Sequence, residues 1–291
     1  MKPYRAALTV LLASAALSAR AQTPPAQDPA APKPEPAKTQ AAAPAEEPEE
    51  IGTWIGNRFL QTASPLTNDK GIFEATFNHR FYESVINSGG SRLLGLDNGA
   101  SITLAVDYAP LKNVSVQVAR ATLDADYEFS AKVTFLRPTA SMPLGLGLRA
   151  GVNWLTANYF TRQSSGFVQL LASATLANRV TLAAAPSFTQ RTPLRSEVLN
   201  VPLVAAFRIT PSTVATAEFV PKYGREEWKA QWSFGVSKEV FHHKFGLWIG
   251  NSGATTVDQM LAGDYNGGVT DSNIRIGFNI MRQWDLVAGR P

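Results

Sequence analysis

Alternation of apolar and polar residues with a period of two is the feature that most constrains how this chain can fold. In the stretch ASITLAVDY, residues 100–108, Ile102, Leu104 and Val106 alternate with small or polar residues. Successive side chains of a β-strand point to opposite faces, so this pattern predicts a strand with one apolar and one polar face. From residue 71 onward the pattern recurs, and helical periodicity never persists for ten residues. The chain is therefore predicted to be all-β.

Twelve segments carry the pattern and are predicted to be strands. They are residues 71–81, 100–108, 113–122, 126–137, 144–156, 166–176, 180–189, 197–209, 213–221, 227–238, 244–251 and 273–284. Most are nine to thirteen residues long, whereas strands of soluble sheets usually have about five or six. A tilted strand needs about 9–11 residues to cross a hydrocarbon core. Strand length therefore favours a membrane barrel.

The connections between these strands alternate between short and long. Five turns at one end are short: APLKN, RPTASMP, LANR, ITPS and EVFHH. Four connections at the other end are long, and a further connection at that end, LDA, breaks the pattern by being short. Outer-membrane barrels have short periplasmic turns, long outer loops and aromatic residues at both interfaces. Aromatic residues of the apolar phase lie near strand ends at Tyr108, Phe135, Trp154, Phe188, Phe207, Trp228 and Trp284. We predict an antiparallel up-and-down transmembrane β-barrel of about 12 strands, with its short turns in the periplasm.

The first 21 residues are typical of a cleavable signal peptide. Lys2 and Arg5 precede an apolar stretch at 6–17, and Ala19 and Ala21 form the small-x-small pattern that signal peptidase cleaves. Removal takes away three basic residues and no acidic one, which lowers the formal charge from +4 to +1. We expect export to the bacterial outer membrane and contact with its lipid. We expect no nucleic-acid binding, because the mature chain is nearly neutral and has no basic stripe.

Two segments lie between the signal peptide and the barrel, which takes residues 71–291. Residues 22–50 hold eight of the 19 prolines and few bulky apolar residues, so they are predicted to be a disordered periplasmic spacer. Residues 51–70 are neither disordered in composition nor periodic. They are interpreted either as a plug of the lumen, with Trp54, Ile55, Phe59 and Leu60 as its apolar contacts, or as part of a periplasmic partner site formed by residues 22–70.

The polar phase of the strands supplies the predicted lumen side chains. They are Glu74, Arg80, Asp107, Glu128, Lys132, Arg149, Arg208, Glu218, Lys229 and Arg275, six basic and four acidic residues. Twelve strands enclose less space than the 16–18 strands of general porins. Two interpretations follow: a largely occluded structural barrel, or a narrow channel for small polar solutes with a mild preference for anions. A soluble or membrane ligand-binding barrel is the alternative. Separately, Gly145, Gly147 and Gly151 are expected to face the lumen and to leave space there for a neighbouring side chain such as Arg149.

A barrel lipid hydrolase with a Ser-His pair on its outer wall is a further class. His79 belongs to the apolar phase near the outer rim and is expected to be a rim histidine satisfied by a neighbour. His242 and His243 are adjacent in a short turn, where side chains diverge and chelate poorly. The loop at 263–271 lacks the ligand spacing and final Glu of a calcium loop. No catalytic residue, metal or cofactor is predicted.

Four short motifs carry a family resemblance: GIFEATFNHRF, LLGLDN, EFVP and IGFNIMRQW. With them, residues 54–284 resemble a family of uncharacterised bacterial membrane-bound beta-barrels that share an H-R-F motif followed by L-x-G-L-D-N. The positions that match the motifs are His79, Arg80, Phe81, Leu96, Asp97, Asn98, Glu218 and Pro221. The resemblance implies a membrane location and a barrel, and no particular chemistry.

Overall fold

The computed structural model describes residues 48–157, 163–193, 197–221, 229–262 and 273–287. Twelve barrel strands run through them, two of which are interrupted at a proline. The strands are β1 (Ile72–Phe81), β2 (Ala100–Leu111), β3 (Val114–Ala121), β4 (Asp126–Leu136), β5 (Leu144–Leu155), β6 (Gln163–Leu176), β7 (Val180–Ala184 and Ser187–Thr189), β8 (Val198–Asn200 and Leu203–Thr210), β9 (Thr213–Val220), β10 (Gln231–Val240), β11 (His243–Gly250) and β12 (Arg275–Asp285). The short helices are α1 (Val85–Ser88) and α2 (Val257–Ala262), with 3-10 turns at Thr53–Ile55, Gly90–Gly95 and Leu123–Ala125.

The strands close into a single barrel. Each pairs antiparallel with its neighbour in sequence, and β1 pairs with β12, for example at Phe77 and Ile280. Closure leaves no open sheet edge, which in hydrocarbon would expose unpaired backbone groups. The predicted fold class, an antiparallel 12-strand β-barrel, is confirmed.

Prolines interrupt β7 and β8 without opening the wall. A proline has no backbone N–H to donate to a neighbouring strand. Across the gaps, Leu170 donates to the carbonyl of Pro186 (2.8 Å), and Ala185 donates to the carbonyl of Pro202 (2.9 Å). Each pair of segments therefore acts as one strand, as the sequence pattern predicts.

The two faces of the wall have opposite polarity, with the polar face inside. Leu104 and Val118, of the apolar phase, are 59% and 50% exposed, whereas Glu74 and Asp107, of the polar phase, are 1% and 3% exposed. A soluble barrel would bury its apolar phase and expose its polar phase. The outer surface is therefore suited to lipid and the lumen is polar.

The short turns and the long loops lie at opposite ends of the barrel. Because the strand count is even, β1 begins and β12 ends at the short-turn end. Aromatic pairs mark both ends: Phe73 with Trp284 (5.6 Å between ring centroids) at the short-turn end, and Tyr127 with Trp154 (5.9 Å) at the other. Trp228 lies outside the described residues. No helix in the described part of the chain is long and apolar enough to cross a membrane.

Candidate functional site

Residues 51–70, here called the plug segment, lie within the lumen. The segment enters at the short-turn end, where Ile51 donates to the carbonyl of Pro138 (2.8 Å). It then turns back on itself, with an antiparallel bridge between Arg58 and Ala63, and leads into β1. Most of its side chains are buried, although it contains no barrel strand. The polar interior therefore encloses a piece of the chain's own N-terminal part.

Glu218 of β9 holds the tip of the plug segment. Its carboxylate accepts hydrogen bonds from three consecutive backbone amides, those of Leu60 (2.8 Å), Gln61 (3.0 Å) and Thr62 (3.3 Å). Hydrogen bonds to an ionised acceptor are roughly twice as strong as those between neutral groups. The carboxylate thus supplies hydrogen-bond acceptors to the backbone N–H groups of a tight turn, which have no partner strand.

Lys132 of β4 holds the two arms of the same turn. Its Nζ donates to the carbonyls of Asn57 (2.7 Å) and Ser64 (3.1 Å). The side-chain amide of Asn57 donates in turn to Asp107 on β2 (2.9 Å). One buried cation and two buried anions are therefore satisfied by the plug segment.

Further wall residues bind the backbone of the plug segment. Lys244 Nζ donates to the carbonyl of Ile55 (2.9 Å) and Asn279 donates to that of Leu60 (3.0 Å). Thr134 donates to the carbonyl of Pro65 (2.7 Å). These donors lie on β11, β12 and β4, so the segment is attached to several sides of the wall.

Apolar packing adds to these polar contacts. Trp54, Ile55 and Phe59 form a buried cluster with three wall residues, Val204, Ala206 and Val214.

Lumen-facing glycines make room for the plug segment. A Cβ on Gly235 would lie 2.8 Å from Leu60 Cδ2, and one on Gly147 would lie 2.9 Å from the carbonyl oxygen of Pro65. A Cβ on Gly145 would likewise meet Pro65, at 3.1 Å. The space expected for Arg149 is therefore occupied by the plug segment at Gly145 and Gly147, whereas at Gly151 the nearest side chain is that of Phe167.

The last long loop enters the lumen from the opposite end. Within its described part, residues 251–262, Val257 at the start of α2 donates to Glu128 Oε2 (2.8 Å). Gln231 donates to the carbonyl of Met260 (3.1 Å). Val257 and Leu261 pack in a buried cluster with Phe167 and Val198. We call residues 251–262 the inserted loop.

The plug segment and the inserted loop meet inside the barrel. With its side-chain amide oriented so that both ends are satisfied, Gln61 donates to the carbonyl of Ala254 (2.8 Å) and accepts from Trp248 Nε1 (3.0 Å). The cavities lined by Arg58 near this junction have volumes of about 20 and 10 Å³. Each has room for about one water molecule. A larger cavity of about 260 Å³ opens beside the plug segment at the short-turn end.

A group of acidic side chains surrounds α2. Arg149 forms an ion pair with Glu128, and its Nη1 also donates a hydrogen bond to Gln169 Oε1 (3.1 Å). Asp258 of α2 is fully buried and contacts Asp126. Burial first, and then the nearby charge of Asp126, raises the pKa of Asp258 well above its usual range. The inserted loop therefore carries a carboxyl group that favours the protonated form.

The predicted lumen residues divide into two groups. Eight are buried and face the lumen: Glu74, Arg80, Asp107, Glu128, Lys132, Arg149, Glu218 and Arg275. The other two, Arg208 and Lys229, are half-buried near opposite rims. The residues that the sequence analysis missed include Arg58, Asp126, Lys244 and Asp258. Asp126 and Lys244 share the lumen phase of their strands and could have been found, whereas Arg58 and Asp258 lie outside any strand and carry no periodic signal.

The interior has no excess of basic residues. Among the described residues, seven acidic and five basic side chains are buried, and Lys244 is half-buried. The excess of basic residues in the sequence-based set, six to four, came from the two rim positions. It gives no basis for an anion-selective interior.

The H-R-F motif places two adjacent side chains on opposite faces of β1. Arg80 is buried in the lumen, with its guanidinium 4.5 Å from the ring centroid of Trp248 and Nη1 donating to the carbonyl of Phe278 (3.2 Å). His79 faces outward and stacks on the ring of Phe278 at 4.9 Å. Its other outward neighbours are apolar, among them Phe81 at 4.5 Å and Ile102 on β2. This environment supplies packing partners and no hydroxyl nucleophile.

Of the remaining matching positions, Glu218 lies in the lumen, where it holds the plug segment, and the others lie outside the lumen or at its rim. Leu96, Asp97 and Asn98 are in the first long loop, just after Gly95. Gly95 has a φ of +86°, and a Cβ there would lie 3.0 Å from the carbonyl oxygen of Glu83, which explains the glycine of this motif. The carbonyl of Pro221, at the end of β9, accepts a hydrogen bond from Asn200 (2.9 Å).

The structure offers no arranged metal site in the part of the chain that it describes. No group of three or more His, Cys, Asp or Glu side chains there could hold a metal ion. The loop stretch 263–271, considered above for calcium, lies outside the described residues.

Several solved outer-membrane proteins resemble the chain weakly in structure. Outer membrane phospholipase A from Escherichia coli aligns with a TM-score of 0.41 and 10% identity, over 73% of this chain and 90% of that one. OmpT of Vibrio cholerae aligns with a TM-score of 0.35 and 9% identity, over 73% and 96%. A bacterial polysaccharide outer membrane secretin aligns with a TM-score of 0.36 and 10% identity, over 74% and 99%.

Comparison of the sequence with known proteins identifies a family. No curated protein matches it significantly. The family described as membrane bound beta barrel domain (DUF5777) matches residues 55–284, which includes the plug segment from Ile55 and nearly all of the barrel wall. The polar lumen and the apolar outer surface are what such a domain requires. The chain belongs to this family of membrane-bound β-barrel domains.

Proposed function

We propose that the protein is an outer-membrane β-barrel whose lumen is closed at rest. Of the two interpretations of the sequence, this selects the largely occluded barrel. The observation that carries the proposal is the carboxylate of Glu218, which holds three consecutive amides of the plug segment inside the lumen. With the short turns in the periplasm, the plug segment enters from the periplasm and the inserted loop from outside the cell.

Energetics favour a plug segment that stays in place. Its removal would leave Glu218, Lys132 and Asp107 without their plug partners in a narrow interior. A buried charge that loses its partner costs about 3–5 kcal/mol. Water entering a vacated lumen would recover part of this cost, because polar groups without a protein partner can then bind water. Passage of a small polar solute therefore requires the plug segment to move.

Conductance in a planar bilayer tests the closed state. The mature chain should be silent, and a variant that lacks residues 22–70 should give small, steady conductance steps, because the cavities at the centre of the lumen would join. A variant that lacks only residues 22–47 is the matched control and should also be silent. Steady conductance by the mature chain would contradict the proposal.

Cell fractionation tests the location. We expect the processed chain, beginning near Gln22, in the outer membrane, and its mobility on a gel should change on heating, as it does for folded barrels. Recovery as a soluble periplasmic monomer would instead favour the ligand-binding barrel.

We also propose that the protein is not a lipid hydrolase. Support comes from His79, whose outward neighbours on β1, β2 and β12 include Phe77, Phe81, Ile102 and Phe278 rather than serine. A nucleophile must lie within hydrogen-bond reach of its base. Phospholipid vesicles incubated with the purified chain should release no fatty acid, and release that depends on His79 would refute this.

A periplasmic partner, if the cell supplies one, would bind residues 22–50. The remainder of the segment that the sequence analysis assigned to this role is enclosed by the wall, as the burial of Asn57, Leu60 and Ser64 indicates. Crosslinking from positions in 22–50 should capture such a partner, and crosslinking from Leu60 should capture the chain's own wall.

A further inference from the structure

The outer wall carries a local group of basic residues at its short-turn end. On β10, β11 and β12 the outward-facing positions include Lys238, His243 and Arg282. In the described strands β9 to β12 and β1, no acidic residue occupies an outward-facing position. Lys238 and Arg282 therefore make this part of an otherwise apolar surface positively charged beside the imidazole of His243, and the acidic residue next to Lys238, Glu239, belongs to the lumen phase of β10.

Arg282 is held in a defined orientation within this patch. It lies between Ala75 of β1 and His243 of β11 in the strand register. Its guanidinium is 5.0 Å from the ring centroid of Trp284, and its Nη1 is 3.2 Å from Nε2 of His243. Arginine can only donate, so Nε2 of His243 is the acceptor. Arg282 Nε is buried and has no hydrogen-bond partner.

The aromatic neighbours of Arg282 are fixed in turn. Trp284 packs on Phe73 at 5.6 Å, and His243 stacks on Phe245 at 5.9 Å. The guanidinium therefore stacks on an indole that is itself packed in place and donates to an imidazole that is itself packed in place. A planar fork held in this way is preorganised for an anion.

Its depth in the wall indicates which anion is available. Arg282 lies three residues from the end of β12 at Asp285, and its position over Trp284 directs the guanidinium toward the strand end. Long basic side chains near a membrane boundary extend to the level of the lipid headgroups. Trp and Tyr rings mark the same level. The anions at that depth are the phosphates of phospholipids.

We propose that Arg282, His243 and Trp284 form a binding site for the phosphate of a phospholipid in the leaflet at the short-turn end, with Lys238 adding positive potential. The guanidinium donates to the phosphate oxygens, and the apolar wall above it, including Phe77 and Ile280, packs along the acyl chains. The assignment of this leaflet to the periplasmic side rests on the orientation given under the proposed function. The site itself does not depend on whether the lumen is closed.

Lipid retention by the purified, full-length mature chain tests the site. After detergent extraction, native mass spectrometry should show retained phosphatidylglycerol and little retained diacylglycerol, which has the same acyl chains and no phosphate. Arg282→Gln should weaken phosphatidylglycerol retention about tenfold, the usual effect of losing one charge-assisted contact. Arg282→Lys should weaken it less, because it keeps the charge and loses the fork. Inorganic phosphate in millimolar excess should not compete.

Arg120→Gln is the matched control. Arg120 also faces outward and donates to a girdle tyrosine, Tyr127 (3.2 Å), but at the long-loop end of β3. This variant should retain phosphatidylglycerol at the short-turn end as the wild type does.

Three results would overturn the site: equal retention by Arg282→Gln and wild type, equal retention of diacylglycerol, or displacement by inorganic phosphate, which would make the ligand a free anion. If Arg282→Gln does not fold, as judged by loss of heat-modifiable mobility, unchanged retention by Arg282→Lys would overturn it instead. The variant without residues 22–70 should retain lipid as the mature chain does, because the lipid site is on the outer wall. Steady conductance by the mature chain would therefore refute the closed lumen without affecting the lipid site.

Discussion

The plug segment and the inserted loop occupy the same lumen, but the wall holds them by different means. The plug segment is bound by charged side chains on separate strands, Glu218, Lys132 and Lys244. The inserted loop is held by Glu128 and by the contact between Asp258 and Asp126, and otherwise by neutral hydrogen bonds and apolar packing. Charge-assisted contacts that become unpaired on release resist release most strongly. The comparison indicates that the plug segment is the fixed occupant and the inserted loop the movable one.

The acidic residues around α2 reinforce this difference. Asp258 lies next to Asp126, and burial and this neighbour raise the pKa of Asp258. Ionisation of Asp258 is therefore easier when the inserted loop has left the lumen than when it is in place. The inserted loop thus contains a group that favours its own release at higher pH, whereas the carboxylate of Glu218 accepts three amides in the closed state.

The largest effect is expected for an arginine placed against the plug segment. Ala206→Arg would put a charge and a long side chain into the cluster of Trp54 and Phe59, at a cost above about 4 kcal/mol. Ala205→Arg, one residue away and facing lipid, should cost about 2–4 kcal/mol at most. Folding free energies in lipid vesicles measure both. If Ala206→Arg costs less than Ala205→Arg, the plug segment is as loosely held as the inserted loop.

The next effect concerns the tip of the plug segment. Glu218→Gln keeps the size of the side chain and one acceptor oxygen but removes the charge that serves three amides. We expect a loss of about 2–4 kcal/mol in the free energy of unfolding, and conductance steps in a planar bilayer. Glu83→Gln, in the first long loop, is the control and should leave the lumen silent. A silent, fully stable Glu218→Gln would show that the plug segment does not depend on this charge.

A smaller effect is expected from filling a lumen glycine. Gly235→Ala would bring a methyl group to 2.6 Å from the carbonyl oxygen of Leu247 in the wall and to 2.8 Å from Leu60 Cδ2 of the plug segment, and such overpacking costs about 1–3 kcal/mol. Gly246→Ala is the matched control on β11, because its Cβ would find only ordinary contacts, the first at 3.6 Å. Thermal unfolding followed by gel mobility should separate the two. Equal behaviour would mean that both the neighbouring strand and the plug segment can shift at little cost.

The smallest effect is a pH dependence of the inserted loop. Because the pKa of Asp258 is raised in the closed state, its insertion should be most stable below the ordinary carboxyl range and weaken as pH rises from there toward the raised pKa. Hydrogen exchange of the α2 amides, corrected for intrinsic rates, should show protection falling with pH. Asp258→Asn should weaken this dependence, because only the carboxyl of Asp126 then remains at this contact, and it should protect α2 at neutral pH. Protection that rises with pH would contradict the assignment of Asp258.

The wall of the barrel was predictable because its signal is local. All twelve strands were predicted from alternation, and the phase placed Glu74, Asp107 and Glu128 inside. Strand ends differ where pairing extends past the pattern: β2 continues to Leu111, which pairs with Val114, and β11 begins at His243. His243 therefore belongs to the outer wall and not to a turn. Pairing between neighbours, which the pattern does not record, determines these ends.

The contents of the lumen were not predictable in the same way. The composition of residues 51–70 allowed either a plug or a partner site, and nothing in it pairs Leu60 with Glu218 or Asn57 with Lys132, residues separated by 75 or more positions. The glycines at 147 and 235 were visible in the sequence, but the atoms that crowd them belong to neighbouring strands and to the plug segment, which the sequence does not place beside them.

The sequence by itself predicted strands with one apolar and one polar face, because a strand's alternation is a property of adjacent residues, and strand length and turn lengths favoured a closed barrel with the apolar face outside. It also determined which strand residues face inward. Only the tertiary structure decided what those residues bind. A charge in a narrow lumen must be paired with whichever group the fold brings to it, and here the fold brings the plug segment to Glu218 and Lys132 and the inserted loop to Glu128.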